Sequence, residues 1–201
     1  MIRIALIFLH NYLKGIPLNP VGNATLFSGV EIINSYLPSK TNNPAQEGNK
    51  VYITLLNIEE ERTAKTPYRY EKIGTENPAK FKLLNPELTL NLYVMVSGTG
   101  NYDEALKNIS KVITVFANKN AFKLAEIDAQ LESPDDKGKI DELWLDIQNI
   151  SLDQSNNLWQ ALANNILPHI IYKIRTIAII PDLAVGGTTE IRTLELEVQH
   201  K

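Results

Sequence analysis

Between residues 151 and 178 the spacing of apolar side chains changes at a single proline, and this break constrains the fold more than any other feature. Ser151 and Gln154 have the S-x-x-Q spacing of a capping box, in which each side chain satisfies a backbone N–H left open at a helix start. Leu158, Trp159, Leu162 and Ile166 then recur at helical spacing. Pro168 disfavours helical geometry at Leu167 and sends the chain into an extended path. From Ile170 the period is two: Ile170, Tyr172, Ile174, Thr176 and Ala178 face one way, Lys173 and Arg175 the other. The stretch predicts a helix running into a central or near-central strand, packed through one tryptophan. Nothing in it is arranged for catalysis.

The rest of the chain supplies partners for that strand. Ile2, Ala5, Leu6, Leu9 and Leu13 fall on one helical face, and the helix is expected to stop near Lys14-Gly15, ahead of Pro17 and Pro20. Residues 24–33 have the character of a short strand with a bend at Gly29, and 38–50 is a polar surface connection. Residues 51–58 (VYITLLNI) read as a strand buried on both sides. It runs into Glu59-Glu60-Glu61-Arg62, where alternation keeps the three carboxylates from converging, so a solvated strand end is favoured over a metal or acid/base site. Residues 66–86, with three prolines and both Tyr68 and Tyr70, predict an irregular excursion or interaction arm. Strict alternation from Leu88 to Val96 predicts a strand. Asn101 with Glu104 caps a helix whose stripe is Leu106, Ile109, Val112, Ile113 and Phe116, with Lys119 suited to its C-terminal dipole. Residues 133–138 form a turn, and 140–150 a strand with Leu143, Leu145 and Ile147 inward. Pro181 closes the sheet, Gly186-Gly187 separates a terminal segment, and Ile191, Leu194, Leu196 and Val198 make 189–198 a weak edge strand or ordered tail. The expected fold is one α/β (α+β) domain, a mixed sheet of about five strands flanked by three main helices, over residues 1–180, with 181–201 as a C-terminal tail or edge strand.

Composition narrows the functional classes. A chain of 201 residues can bury a substantial core. A net charge of -3 argues against a general nucleic-acid binder, which needs a basic surface to displace counterions. The absence of cysteine removes thiolate nucleophiles and thiolate metal ligands. The apolar start, residues 1–9, is interrupted by His10, Asn11 and Lys14 and favours a packed helix over a signal peptide; no run reaches the length of a membrane span.

Gly98-Thr99-Gly100, between a strand and a helix, is the strongest enzyme-like motif, and a nucleotide- or small-molecule-binding domain built on it is the rival reading. The dinucleotide fingerprint requires a third glycine where Asp103 stands, so a capped turn is favoured. His10, His169 and His200 lie on different elements without ligand spacing, and no nucleophile elbow is present. Trp144, Trp159, Phe116 and Tyr172 read as core aromatics. Lys173 and Arg175 share a polar strand face, suited either to local salt bridges or to an acidic partner surface.

Several stretches in order resemble one family. They are the N-terminal helix ending in Tyr12-Leu13, the segment 50–62 (KVYITLLNIEEER), the strand 86–96, and 101–107 (NYDEALK) with its helix. The L-W-x-x-L motif at Leu158 and the P-x-x-x-Y-K-x-R motif at Pro168 complete the set. The chain is similar over about residues 1–180 to the small domain at the N-terminus of cap, or tail-terminator, proteins of bacterial contractile injection systems, most of all to members from Bacteroidetes-type systems. The resemblance implies a phage tail-terminator-like fold and a structural subunit, not an enzyme, with no cofactor. It implies a homo-hexameric ring that binds the distal end of inner tube and sheath, ends their polymerisation and fixes particle length. It also implies cytoplasmic assembly into the particle, with no nucleic-acid partner and no membrane insertion. A terminator of an ordinary contractile phage tail would share the fold. Candidate partner contacts are the edge, arm and charged positions: Glu59, Glu60, Glu61, Arg62, Tyr68, Tyr70, Lys173, Arg175, Ile191, Leu194 and Leu196.

Overall fold

Alternation along the chain resolves into two sheets. The computed structural model describes residues 1–18, 24–35, 48–61, 69–73, 80–84, 88–162, 166–179 and 184–189. In chain order the elements are α1 (Ile2–Gly15), β1 (Glu31–Asn34), β2 (Lys50–Glu60), β3 (Arg69–Ile73), β4 (Lys80–Leu84) and β5 (Leu88–Gly98). There follow α2 (Tyr102–Asn118), β6 (Ala121–Lys123), α3 (Leu124–Ala129), β7 (Glu142–Ile147), α4 (Leu152–Ala161), β8 (His169–Ile179) and β9 (Ala184–Thr189). The chain forms two compact units, Met1–Glu60 with Leu90–Ile177 and Glu61–Thr89 with Ala178–Lys201.

In the first unit the strand order is β1-β2-β5-β8-β7-β6. β1 runs parallel to β2; β2 with β5, β7 with β8 and β6 with β7 are antiparallel, so the sheet is mixed, as the sequence predicts. The strand opened by Pro168 is the fourth of six, and the proline carbonyl accepts the Gly98 N–H at 3.0 Å, linking the break to the end of β5. The count exceeds five because β1 and β6 have only four and three residues, too few to leave a period in the sequence. The six-residue α3 escapes detection for the same reason.

One face of this sheet is closed by an aromatic cluster from α1, α2 and the strands. Phe8 meets Phe122 edge-on at 5.0 Å, Tyr12 meets Phe122 at 4.7 Å, and Phe116 meets Tyr172 at 5.2 Å. Phe8 turns α1 from the predicted face: Ile4, Ala5, Phe8, Leu9 and Leu13 are buried, while Ile2 and Leu6 lie at the margin. α2 is likewise rotated, burying Ala105, Val115 and the amide residue Asn108 and leaving Leu106 exposed. Asn108 is accommodated because its Nδ2 donates to Asn49 Oδ1 at 2.6 Å.

The opposite face is covered by α4. Its capping box forms as expected: Ser151 Oγ accepts from the Gln154 N–H at 3.2 Å, and Gln154 Oε1 accepts from the Ser151 N–H at 2.9 Å. Trp159 then packs with Tyr52, Met95, Leu167 and Ile171. Two expectations for β7 need correction. Trp144 is 40% exposed and is not a core aromatic, because it stands opposite exposed Arg175 on β7, away from the α4 cluster. Ile147, expected inward, is also exposed.

Residues 24–33 form a turn with Gly29 at φ 75° and contribute to a strand only from Glu31. In the second unit the expected irregular excursion contains a hairpin: β3 and β4 pair antiparallel, and β4 pairs with β9. Prolines flanking these five-residue strands disguise them in the sequence. β9 includes Gly186-Gly187, expected as a separator; an edge strand tolerates residues that lack strand propensity. The 190–198 part of the expected terminal segment lies outside the described residues.

Candidate partner-binding site

Pairing of β2 with β5 is regular from Val51 to Leu55, slips at Leu56 and resumes at Asn57 opposite Tyr93. Such a bulge reverses which alternate residues face each way. Before it, Thr54 lies opposite Met95, which packs against Trp159; after it, Asn57 and Glu59 lie on that same α4 side. Leu56 itself is partly buried against the α4 cluster. The result is an open groove of about 370 Å³ whose apolar lining is Leu56, Ile150, Leu158 and Ile171, with Glu59 and Tyr93 at the polar end.

Glu59 is exposed, yet its carboxylate is held: Tyr93 Oη donates to Oε2 at 2.9 Å and Asn57 Nδ2 donates to Oε1 at 3.1 Å. Glu60 stands opposite Leu90 and so faces away from Glu59, in agreement with the expected divergence. The Glu61 N–H donates to the Thr89 carbonyl at 2.8 Å. Lys173 places its ammonium 5.9 Å from the Tyr93 ring centroid, and Arg175 is ion-paired with Asp146 on β7. Of the predicted contact residues, the structure therefore brings Glu59 and Lys173 together through Tyr93. Arg175 engages a carboxylate of its own chain. Tyr70 pairs with Leu83 in the β3–β4 hairpin. Arg62, Tyr68, Ile191, Leu194 and Leu196 lie outside the described residues.

The Gly98–Gly100 loop is filled by the protein's own backbone. A Cβ at Gly98 would lie 3.0 Å from the Ala105 carbonyl oxygen, so this glycine serves close strand–helix packing. Gly100 has φ 104° and sits against Gly48 and Asn49. The Thr99 N–H and hydroxyl donate to the carbonyls of Lys50 and Gly48 at 2.9 and 3.0 Å. These donors would be needed to cradle a phosphate, and Asp103 and Glu104 add negative charge in the first turn of α2.

Histidines serve local structure. His10 Nε2 lies 3.1 Å from the Ile32 carbonyl oxygen, and His169 Nδ1 lies 2.9 Å from that of Leu167, with its ring edge-on to Trp159. His200 lies outside the described residues. Among the described residues no three His, Asp or Glu side chains cluster as metal ligands, and no helix is long and apolar enough to cross a membrane. Burial pushes the Tyr172 phenol up to about 12, and its hydroxyl has no hydrogen-bond partner among the described residues. Lys119, expected to serve the α2 dipole, hydrogen-bonds Glu126; that contact raises the Lys119 pKa and lowers that of Glu126.

Sequence reasoning missed the groove lining. Leu56 reads as one more residue of a buried strand, and a bulge leaves no signature without its partner strand. Ile150 and Leu158 are visible only as ordinary apolar positions of a strand end and a helix.

No curated protein matches the chain in sequence. Among solved structures, the chain is similar to the sheath/tube terminator, in its extended state, of the extracellular contractile injection system PVC. The TM-score is 0.64 at 15% identity, covering 100% of this chain and 64% of that one. It is also similar to the tube-terminating cap of the anti-feeding prophage, with a TM-score of 0.55 and 18% identity over 84% of this chain and 55% of that one. The chain thus spans less than two thirds of the length of either protein. The profile of the Pvc16 N-terminal domain matches residues 8–191. With that match over most of its length, on the mixed α+β fold described above, the chain belongs to the Pvc16 N-terminal domain family.

Proposed function

We propose that this protein is a cap, or tail-terminator, subunit of a contractile injection system, which binds the distal end of the inner tube and sheath and stops their growth. The observation that carries this reading is the correspondence of the entire chain with a domain of a sheath/tube terminator. The subunit works as a structural element without a catalytic step. It assembles in the cytoplasm as a homo-hexameric ring and becomes part of the particle; a closed ring needs a heterologous interface that returns on itself. Residues 1–180 act as the terminator domain and 181–201 as its tail. The edge of the β3-β4-β9 sheet is suited to pairing with an extended strand of a neighbour.

Electron microscopy of the purified protein, alone and mixed with particles assembled without it, tests the reading. Six-fold rings on tube ends and restored uniform particle length are the expected result. A protein that stays monomeric at high concentration and leaves particle length uncontrolled would overturn it. Deleting residues 189–201 is expected to weaken ring formation or capping; unchanged capping would remove the tail from the interface.

A further inference from the structure

We propose that the groove beside α4 receives a short extended segment of a protein partner that carries an aliphatic side chain next to a lysine or arginine. The proposal rests on the terminator reading only for the place to seek that partner, among tube and sheath subunits.

The bulge at Leu56 makes the groove what it is. An unbroken β2 would follow Leu56 with Ile58 on the α4 side and turn Glu59 away from it; the slip between Leu55 and Asn57 instead brings Asn57 and Glu59 to that side, beside Leu56. Among the described residues lining the groove Glu59 is the only charged one, and it is negative. Its carboxylate is fixed by Tyr93 Oη and Asn57 Nδ2 before any partner arrives, so less freedom is lost when a cation docks. Lys173 is held over the Tyr93 ring and Arg175 is held by Asp146. A carboxylate beside an aliphatic floor matches a basic side chain whose stem lies along Leu56 and Ile171; an acidic residue there would be repelled.

A peptide fits better than a small molecule. The groove is open to solvent along one side, whereas small-molecule sites enclose about 70–90% of their ligand. A segment lying across the opening brings its own backbone and neighbours to cover what the groove leaves bare.

The test is methyl NMR of the full chain titrated with overlapping synthetic peptides from the tube and sheath subunits. Peptides with an aliphatic–basic pair are expected to shift the methyl signals of Leu56, Ile150, Leu158 and Ile171. Glu59→Lys, at an exposed position, should weaken that binding about tenfold or more while leaving the remaining spectrum intact. Tyr93→Phe removes one of the two donors on the carboxylate and should weaken it by about threefold. Equal binding of peptides lacking a basic residue, unchanged affinity in Glu59→Lys, or groove shifts caused only by small molecules would overturn the proposal. Capping is scored separately by microscopy. Glu59→Lys protein that caps particles and binds their peptides as the wild type does sinks the groove proposal and leaves the terminator reading standing. Wild-type protein that caps nothing yet takes such peptides into the groove does the reverse.

Discussion

The two faces of the six-stranded sheet use the same strands for different ends. On one face Phe122, Leu143, Leu145 and Ile174 are fully or almost fully buried beneath α1 and α2, with Phe8 of α1 packed on Phe122. On the other, α4 covers Met95 and Ile171, and the strands then continue into exposed or half-exposed Glu59, Tyr93, Lys173, Arg175 and Trp144. Strand alternation alone would give both faces a similar character along their length. The difference comes from helix cover, since α4 has ten residues against seventeen in α2. The closed face is continuous core, while part of the other stays exposed to solvent.

The sharpest way to break this contrast is to open a cavity in the closed face. Phe122 is fully buried and touches both Phe8 and Tyr12. Phe122→Ala should cost about 3–5 kcal/mol, a large part of the stability of a domain this size. Urea unfolding measures it; a loss under about 1 kcal/mol would mean that the aromatic cluster is not the structural centre.

An intermediate effect is expected at the edge of the cover. Ser151→Ala removes the side-chain acceptor of the α4 capping box and should cost about 1 kcal/mol. The loss should appear as faster amide hydrogen exchange in α4, with α1 and α2 little affected. Equal acceleration in all three helices would show that the two faces open as one.

A gain in stability is expected at Tyr172, whose hydroxyl on the closed face has no hydrogen-bond partner among the described residues. Tyr172→Phe deletes that group without changing the ring and should be neutral or stabilising by up to about 1 kcal/mol near neutral pH. At alkaline pH the gain should grow. The folded-state pKa is raised to about 12 by burial, while an unfolded tyrosine titrates near its ordinary value of about 10. Between these values the unfolded state releases the proton and the folded state keeps it. Tyr172 therefore draws stability away as pH rises through that window and has no such effect below it. Thermal unfolding of the two proteins between pH 8 and pH 12, about the span of this titration, should diverge with pH; parallel curves would locate the alkaline loss elsewhere.

Features set by local sequence were largely legible on both faces, and those that depend on strand register or distant pairing were not. Ser151, Gln154, Trp159 and Pro168 each act locally, through a cap, a helical face or a restricted backbone, so their roles follow from neighbours in sequence. Alternation around Leu92 and Val94 likewise reports burial directly. The groove depends on a slip between β2 and β5, strands separated by a hairpin, and no local rule places that slip at Leu56. The aromatic pairing of Phe8 with Phe122 joins elements more than a hundred residues apart and rotates α1 from its predicted face. Lys173 and Arg175 were identified as a charged pair, but their partners, Tyr93 and Asp146, lie on neighbouring strands whose register must be known first.

The smallest effect is expected on the open face. Arg175 and Asp146 form an ion pair in which both side chains are at least one-third exposed, so solvent screens the attraction and ordering the long arginine offsets part of it. Arg175→Ala should change stability by less than about 0.5 kcal/mol. Whatever stability the pair contributes should fall as salt is added, so wild type and variant should converge in about 1 M salt, where the Debye length is only about 3 Å. A salt-independent loss above about 2 kcal/mol would mean that the arginine supports packing, and the contrast between a structural face and a solvated one would then have to be redrawn at β7.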